Sequence, residues 1–218
     1  MLPTSRTARV GDYYRQYQLD QDSTAFAARV SQRYSVATLE RLVLCGRPSS
    51  RRAATFALGL IGDYRSNHVL GQALHDEDSG VRVLAESGIR VLWCRAGSDS
   101  QRRDLGLVIR LNSAHRYLEA IDKATQLIDD TPWIAEAWNQ RGIAHFCLGQ
   151  YDDSILDCQQ ALEVNPYHFG AASGMAQCFF RLGNRQGALD SFRHAYALNP
   201  NLDSVRAQID YLERSLFE

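Results

Sequence analysis

The sequence predicts an all-α protein, an α-solenoid of stacked helix pairs. Three observations predict it. Pro132, Pro166 and Pro200 lie 34 residues apart, and Ala120, Ser154 and Ala188, then Leu127, Ala161 and Ala195, keep the same interval. Upstream runs a second period of 31 residues: aligning residues 50–64 with 81–95 puts Arg51 over Arg82, Ala54 over Ala85, Leu58 over Ile89 and Ile61 over Leu92. The third is composition, since five prolines and abundant Ala, Leu, Arg and Gln favour helix throughout and no strand pattern competes. A two-helix unit of this length cannot bury its own apolar side, so it stacks on its neighbours.

Residues 1–22 are polar and rich in Tyr and Arg, with Tyr13, Tyr14 and Tyr17 as the bulky groups. They are expected to form an arm, either disordered or docked as a helix. No apolar stretch here resembles a secretion signal, and nowhere do about 18 apolar residues run together as a bilayer span requires. The expectation is a soluble cytoplasmic protein with no membrane partner. Arginine outnumbers lysine 23 to 1, which reads as the mark of a GC-rich, bacterial genome.

Residues 23–98 form the first array. Small Ala53, Ala54, Ala57 and Gly59 let helices lie close, and Leu58 and Ile61 fill the layer between repeats. The preceding helices follow the same shift, with Leu39 over Leu70 and Val43 over Leu74. Ser35, Ser49 or Ser50, Ser66, and Asp78 with Ser79 mark helix starts, where a side-chain oxygen satisfies free amides. Gly62 marks a helix end, and Arg82 is placed to reach back to the acidic turn Asp76-Glu77-Asp78 or to the previous repeat. Residues 23–98 carry ten Arg against six acids, residues 99–218 eleven Lys and Arg against sixteen. The sign changes at the small polar stretch 96–100, where the boundary is placed. Residues 99–202 then hold three 34-residue units. Residues 203–218 read as one closing helix with Val205, Ile209, Leu212 and Leu216 on a single face. Five cysteines lack CxxC spacing, four of them within apolar helical stretches, so they are expected as reduced core thiols.

The C-terminal units resemble tetratricopeptide repeats. The residues that carry the likeness are Trp138, Gly142, Leu148-Gly149, Tyr151, Ala161 and Pro166 in the second unit. In the third they are Ala172, Ala176, Phe179, Leu182-Gly183, Ala188, Phe192, Ala195 and Pro200. The first unit keeps Tyr117, Ala120, Ala124, Leu127 and Pro132 but has Val108 where Gly or Ala is usual. Residues 35–95 are similar to the short HEAT-like repeats first described in phycobilin lyases. That likeness rests on Arg51-Arg52-Ala53-Ala54, Ala57-Leu58-Gly59, Ile61-Gly62-Asp63 and the acidic turn before Val81-Arg82.

The tetratricopeptide resemblance implies that the first helix of each unit lines a concave groove. The groove residues are then Arg102, Leu105, Ile109 and Asn112, followed by Glu136, Asn139, Ile143 and Phe146, and by Ser173, Gln177, Phe180 and Arg181. Ile143, Phe146 and Phe180 offer an apolar floor, or pack as core, and Asn139 and Gln177 are suited to hold an extended main chain. The Lys and Arg set with which some chaperone adaptors clamp a terminal carboxylate is missing, with Arg181 as the one anchor. Arg141 and His145 replace the usual Leu and Tyr on one helix face. Either they line a polar pocket, or Arg141 snorkels to water and His145 sits satisfied in the core.

The expected function is a non-enzymatic adaptor whose two arrays form one curved rod that binds a protein or peptide partner, with self-association open and no cofactor or metal. His68 and His75 beside the acidic turn read as structural. A bilin-lyase-like accessory enzyme, using His75 or His145, is the alternative. Nucleic-acid binding through Arg41, Arg47, Arg51, Arg52 and Arg65 ranks third, because aromatic interleaving is absent. No phosphate-cradling glycine loop or nucleophile elbow occurs.

Overall fold

A computed structural model describes residues 9–217, with side chains to residue 215. Residues 1–8 of the expected arm lie outside the described residues, as does the side chain of Leu216 on the closing-helix face. Thirteen α-helices and one 3-10 turn carry the described residues, with no strand among them. Two compact units result, Met1–Leu92 and Trp93–Glu218.

The first unit holds α1 (Val10–Asp20), α2 (Ser23–Ser31), α3 (Val36–Cys45), α4 (Pro48–Ile61), the 3-10 turn Tyr64–Ser66, α5 (Asn67–Ala73) and most of α6 (Ser79–Cys94). Residues 10–20 of the expected arm are a docked helix. Tyr17 stacks on Phe56 of α4 with ring centroids 4.4 Å apart, while Tyr14 and Phe26 complete the aromatic cluster. Ser35 and Asp78 cap their helices, accepting from the amides of Thr38 and Val81. Ser49, Ser50 and Ser66 do not cap. The start of α4 is set instead by Pro48, which lacks the amide a cap would satisfy. Ser66 gives its hydroxyl to Glu40 Oε1 at 2.8 Å.

Close approach requires glycine at several points of this unit, Gly62 and Gly59 among them. At Gly62, which ends α4, a Cβ would lie 2.5 Å from the Leu58 carbonyl oxygen. At Gly59 a Cβ would lie 2.9 Å from the Cα of Gly88, so α4 and α6 touch backbone to backbone there. The acidic turn is an ion-pair hub. Arg51 holds Asp76 through two bonds of 2.8 and 2.9 Å and also reaches Glu77. Arg52 holds Asp78 at 2.8 and 2.7 Å, and Arg82 donates to the Asp76 carbonyl at 2.9 Å.

The second unit holds α7 (Asp99–Ser113), α8 (Tyr117–Asp130), α9 (Ala135–Cys147), α10 (Tyr151–Val164), α11 (Phe169–Arg181), α12 (Arg185–Leu198) and α13 (Asp203–Phe217). A reciprocal cap between Ser98 and Gln101 starts α7. The periodic positions are all buried: Val108, Gly142 and Ala176; Ala120, Ser154 and Ala188; Leu127, Ala161 and Ala195. Each helix pair therefore closes over small side chains in the manner of an α-solenoid. The turn inside each pair uses a left-handed residue at the same 34-residue interval, His115 (φ 57°), Gly149 (φ 78°) and Gly183 (φ 76°). On α13, Val205 and Leu212 bury against α11 and α12, with Ile209 packed beside them.

The cysteine expectation needs correction. Cys158 and Cys178 are buried, and burial pushes the Cys158 thiol up to about 12. Cys45, Cys94 and Cys147 are exposed, and each is the last residue of its helix.

Candidate partner-binding surface

The groove residues expected from sequence divide into two groups. The first turns inward. Glu136, in the first turn of α9, is 7% exposed, and its carboxylate receives three hydrogen bonds. His168 Nε2 donates to Oε2 at 2.9 Å, and Gln140 and Asn139 donate to Oε1 at 2.7 and 3.2 Å. The tautomer is set by the other ring nitrogen, since His168 Nδ1 accepts from the Ala171 amide at 3.0 Å and caps α11. Asn112 of α7 joins the chain by donating to the Gln140 backbone and side-chain oxygens, both at 2.9 Å. Trp93 stacks on the His168 imidazole with centroids 4.1 Å apart. Burial pushes the Glu136 carboxyl upward, but the donors on His168, Gln140 and Asn139 outweigh it and hold it below its ordinary range. Leu105 is core. Asn139 thus spends its amide group inside the protein.

The second group faces outward. Ile143 is 40% and Phe180 37% exposed. Phe146 is half-buried against Tyr151, with centroids 5.5 Å apart, and the Arg181 guanidinium lies 5.9 Å from its ring centroid. Phe180 meets Tyr211 of α13 edge-on at 6.4 Å, and Tyr211 is itself 51% exposed. Half-buried Gln177 and Ser173 stand on the same helix as Phe180, and the Gln177 amide makes no hydrogen bond among the described residues. The result is an apolar and aromatic strip across α9, α11 and α13 with one cation on it. Ile109 is half-buried on α7, and Arg102 at the start of that helix is tied to Asp99 and to the Gly97 carbonyl. Sequence reasoning missed Tyr211, which its place on a closing helix hid, and His168, which no spacing marks.

Arg141 does not snorkel. It forms a forked pair with Asp157 of α10 at 2.9 and 2.7 Å, donates to Thr125 Oγ1 of α8 at 2.9 Å, and lies 5.0 Å from the Trp138 ring centroid. His145 bonds Gln150 at 2.7 Å and lies 3.8 Å from the same aspartate. His68 lies 3.1 Å from the Gln72 amide nitrogen, and His75 is exposed. Among the described residues no group of three His, Cys, Asp or Glu is arranged to hold a metal, and no helix is long and apolar enough to cross a membrane. Arg51 and Arg52, two of the five arginines of the expected basic face, are committed to the acidic turn.

Residues 135–168 match the family model described as tetratricopeptide repeat. A TPR repeat-containing protein of Rhizobium etli is 27% identical over 152 residues, covering 70% of this chain and 74% of its own. A protein SGT1 homolog of Bos taurus is 30% identical over 80 residues, of which the chain spans 24%. Among solved structures, the first TPR of Spaghetti (RPAP3), bound to the HSP90 peptide SRMEEVD, superposes with a TM-score of 0.53 at 21% identity, covering 56% of this chain and 97% of that one. The Sgt2 TPR domain from Aspergillus fumigatus gives 0.53 at 20% identity, with 56% and 83% covered. These likenesses agree with the all-α repeat architecture of α7–α13.

Proposed function

We propose that this tetratricopeptide-repeat protein is a non-enzymatic adaptor that holds an extended segment of a protein partner on the first helices of its repeats. The observation that carries this reading is the strip of Ile143, Phe146, Phe180, Arg181 and Tyr211. Large side chains kept a third to a half exposed on neighbouring helices cost solvation unless something covers them. Gln177 supplies a free amide beside the strip for a main chain, and Arg181 a cation for an acidic or carboxylate group. A peptide bound to the first TPR of Spaghetti supports the general mode, while the carboxylate-clamping set that some chaperone adaptors use is not reproduced here. The HEAT-like reading of residues 35–95 belongs to the same proposal, supported by helix pairs α3/α4 and α5/α6 that repeat with their aligned Leu39 and Leu70, Ala54 and Ala85, and Leu58 and Ile89 all buried.

The test is panning a random-peptide display library on the full chain, then measuring the selected peptides against a Phe180→Ala, Arg181→Ala double variant. Phe180 is 37% exposed and Arg181 exposed, so the melting curve should shift by only a few degrees while the fold is kept. Loss of one aromatic of the strip and of the strip's cation should weaken binding about tenfold or more. If nothing is enriched, or the double variant binds equally well, the reading fails.

A further inference from the structure

A second surface lies on the flank of α7 and does not depend on the aromatic strip. Arg103 and Arg110 stand seven residues apart, two turns on one side of the helix. Between them Gly106 leaves the backbone bare, and Arg110 Nη1 lies 3.4 Å from where a Cβ on that glycine would be. Asp99, Arg102, Arg103, Gly106 and Arg110 line an open depression of about 460 Å³. Its one carboxylate, Asp99, is already held by Arg102. The side chains of Arg103 and Arg110 have no hydrogen bond, ion pair or ring contact among the described residues. Arg15, Arg90, Arg116 and Arg193 each find a nearby carboxylate, while Arg33, Arg41 and Arg206 share the lack of one.

The repeat explains why this flank is unusual. One period on, Arg103 and Arg110 become Ala137 and Ala144, and another period on, Ala171 and Cys178; all four are buried. Ala144 packs into the cluster of Val108, Leu111, Ala120 and Ala124, and Ala171 into that of Cys158 and Ala161, so in the later repeats these positions seat one repeat on the one before. On α7 the same positions are long, cationic and exposed. An outer repeat needs a polar edge, but any polar residue provides one. Two guanidinium groups directed to one glycine-floored depression, whose single carboxylate Asp99 is already paired with Arg102, raise the local potential, which a bound oxyanion lowers.

We propose that Arg103 and Arg110 form an anion-recognition surface for an acidic segment of a protein partner, with Gly106 giving its carboxylates room to reach both guanidinium groups. Acidic peptide is favoured over nucleic acid, because the surface holds no aromatic on which a base could stack and is a two-arginine patch on a chain of net charge -1.

The experiment titrates the full chain with a labelled Glu-rich peptide, with single-stranded DNA of equal charge, and with inorganic phosphate as competitor, at low and physiological salt. Binding of the acidic peptide that weakens with salt, and that falls about tenfold or more in an Arg103→Gln, Arg110→Gln variant with an unchanged melting curve, is the expected result. Arg110→Lys should recover part of it when restored alone. A Phe180→Ala variant, which keeps the Arg181 cation, should bind the Glu-rich peptide as the wild type does, so loss of this site and loss of the aromatic strip are told apart. DNA binding as tight as the peptide, suppression of peptide binding by millimolar phosphate alone, or peptide binding indifferent to Arg103 and Arg110 overturns the proposal.

Discussion

Arg141 of α9 grips the buried carboxylate of Asp157 on α10 through Nε and Nη2, at 2.9 and 2.7 Å. Its third nitrogen reaches Thr125 on α8, so one side chain ties three consecutive helices. At this position an aliphatic residue would pack as core. The arginine instead creates a charge that must be matched, and the Asp157 side chain, 4% exposed, has no water to fall back on.

Arg141→Leu should therefore cost about 3 to 5 kcal/mol in urea unfolding, because it strands a buried carboxylate. The Arg141→Leu, Asp157→Ala double variant should be more stable than Arg141→Leu alone, since the uncompensated charge is gone while the Cβ that touches Gly142 remains. A single-variant loss below about 1 kcal/mol would show that the pair is incidental.

Glu136 gives the fold an acid-sensitive joint. Its folded carboxyl is held below the ordinary value of 4.5 even though burial opposes ionisation, because His168, Gln140 and Asn139 all donate to it. A depressed carboxyl contributes stability that is present above the unfolded value and is lost as pH falls through the folded one. The window thus begins near 4.5 and extends downward. Denaturant unfolding at pH 7 and at about pH 3.5 should show Glu136→Gln losing less stability between the two than the wild type. Equal losses would mean that the carboxylate gains nothing from its donors.

Gly59 and Gly149 predict the same sign of effect for different reasons. An alanine at an ordinary helix position outperforms glycine by about 1 kcal/mol. At Gly59 the new methyl would sit 2.9 Å from the Gly88 backbone, so Gly59→Ala should destabilise by about 1 to 3 kcal/mol by prising α4 from α6. At Gly149 nothing stands within 4 Å, yet φ is 78°, so Gly149→Ala should cost about 1 kcal/mol through the backbone alone. Thermal unfolding of both separates packing from conformation: Gly88→Ala should be as damaging as Gly59→Ala, and His115→Gly, at the equivalent turn of the first repeat, should not destabilise.

The repeats were legible because their signal is periodic. Pro132, Pro166 and Pro200 fall where a helix pair must end, and Ala120, Ala161 and Ala195 fall where two helices cannot admit a larger side chain. The candidate surface was legible in part. Ile143, Phe180 and Arg181 emerge where the register put them, whereas Glu136 and Asn139, in the same register, point into the protein. Periodicity assigns a residue to a helix face, but neighbouring faces meet at an angle, and a side chain near the edge turns toward whichever hydrogen-bond partner lies within reach. His168 was that partner, 32 residues away in sequence.

The sequence alone determined that this chain is all helix, counted in units of 34 and 31 residues, because apolar and small residues at fixed intervals leave burial against a neighbour as the only outlet. Tertiary structure alone decided which polar groups are spent inside: Glu136 on His168, Arg141 on Asp157, the acidic turn on Arg51 and Arg52, and two arm tyrosines on Phe56. Such pairs form across helices whose rotation and offset are set by packing, and linear spacing does not record either one.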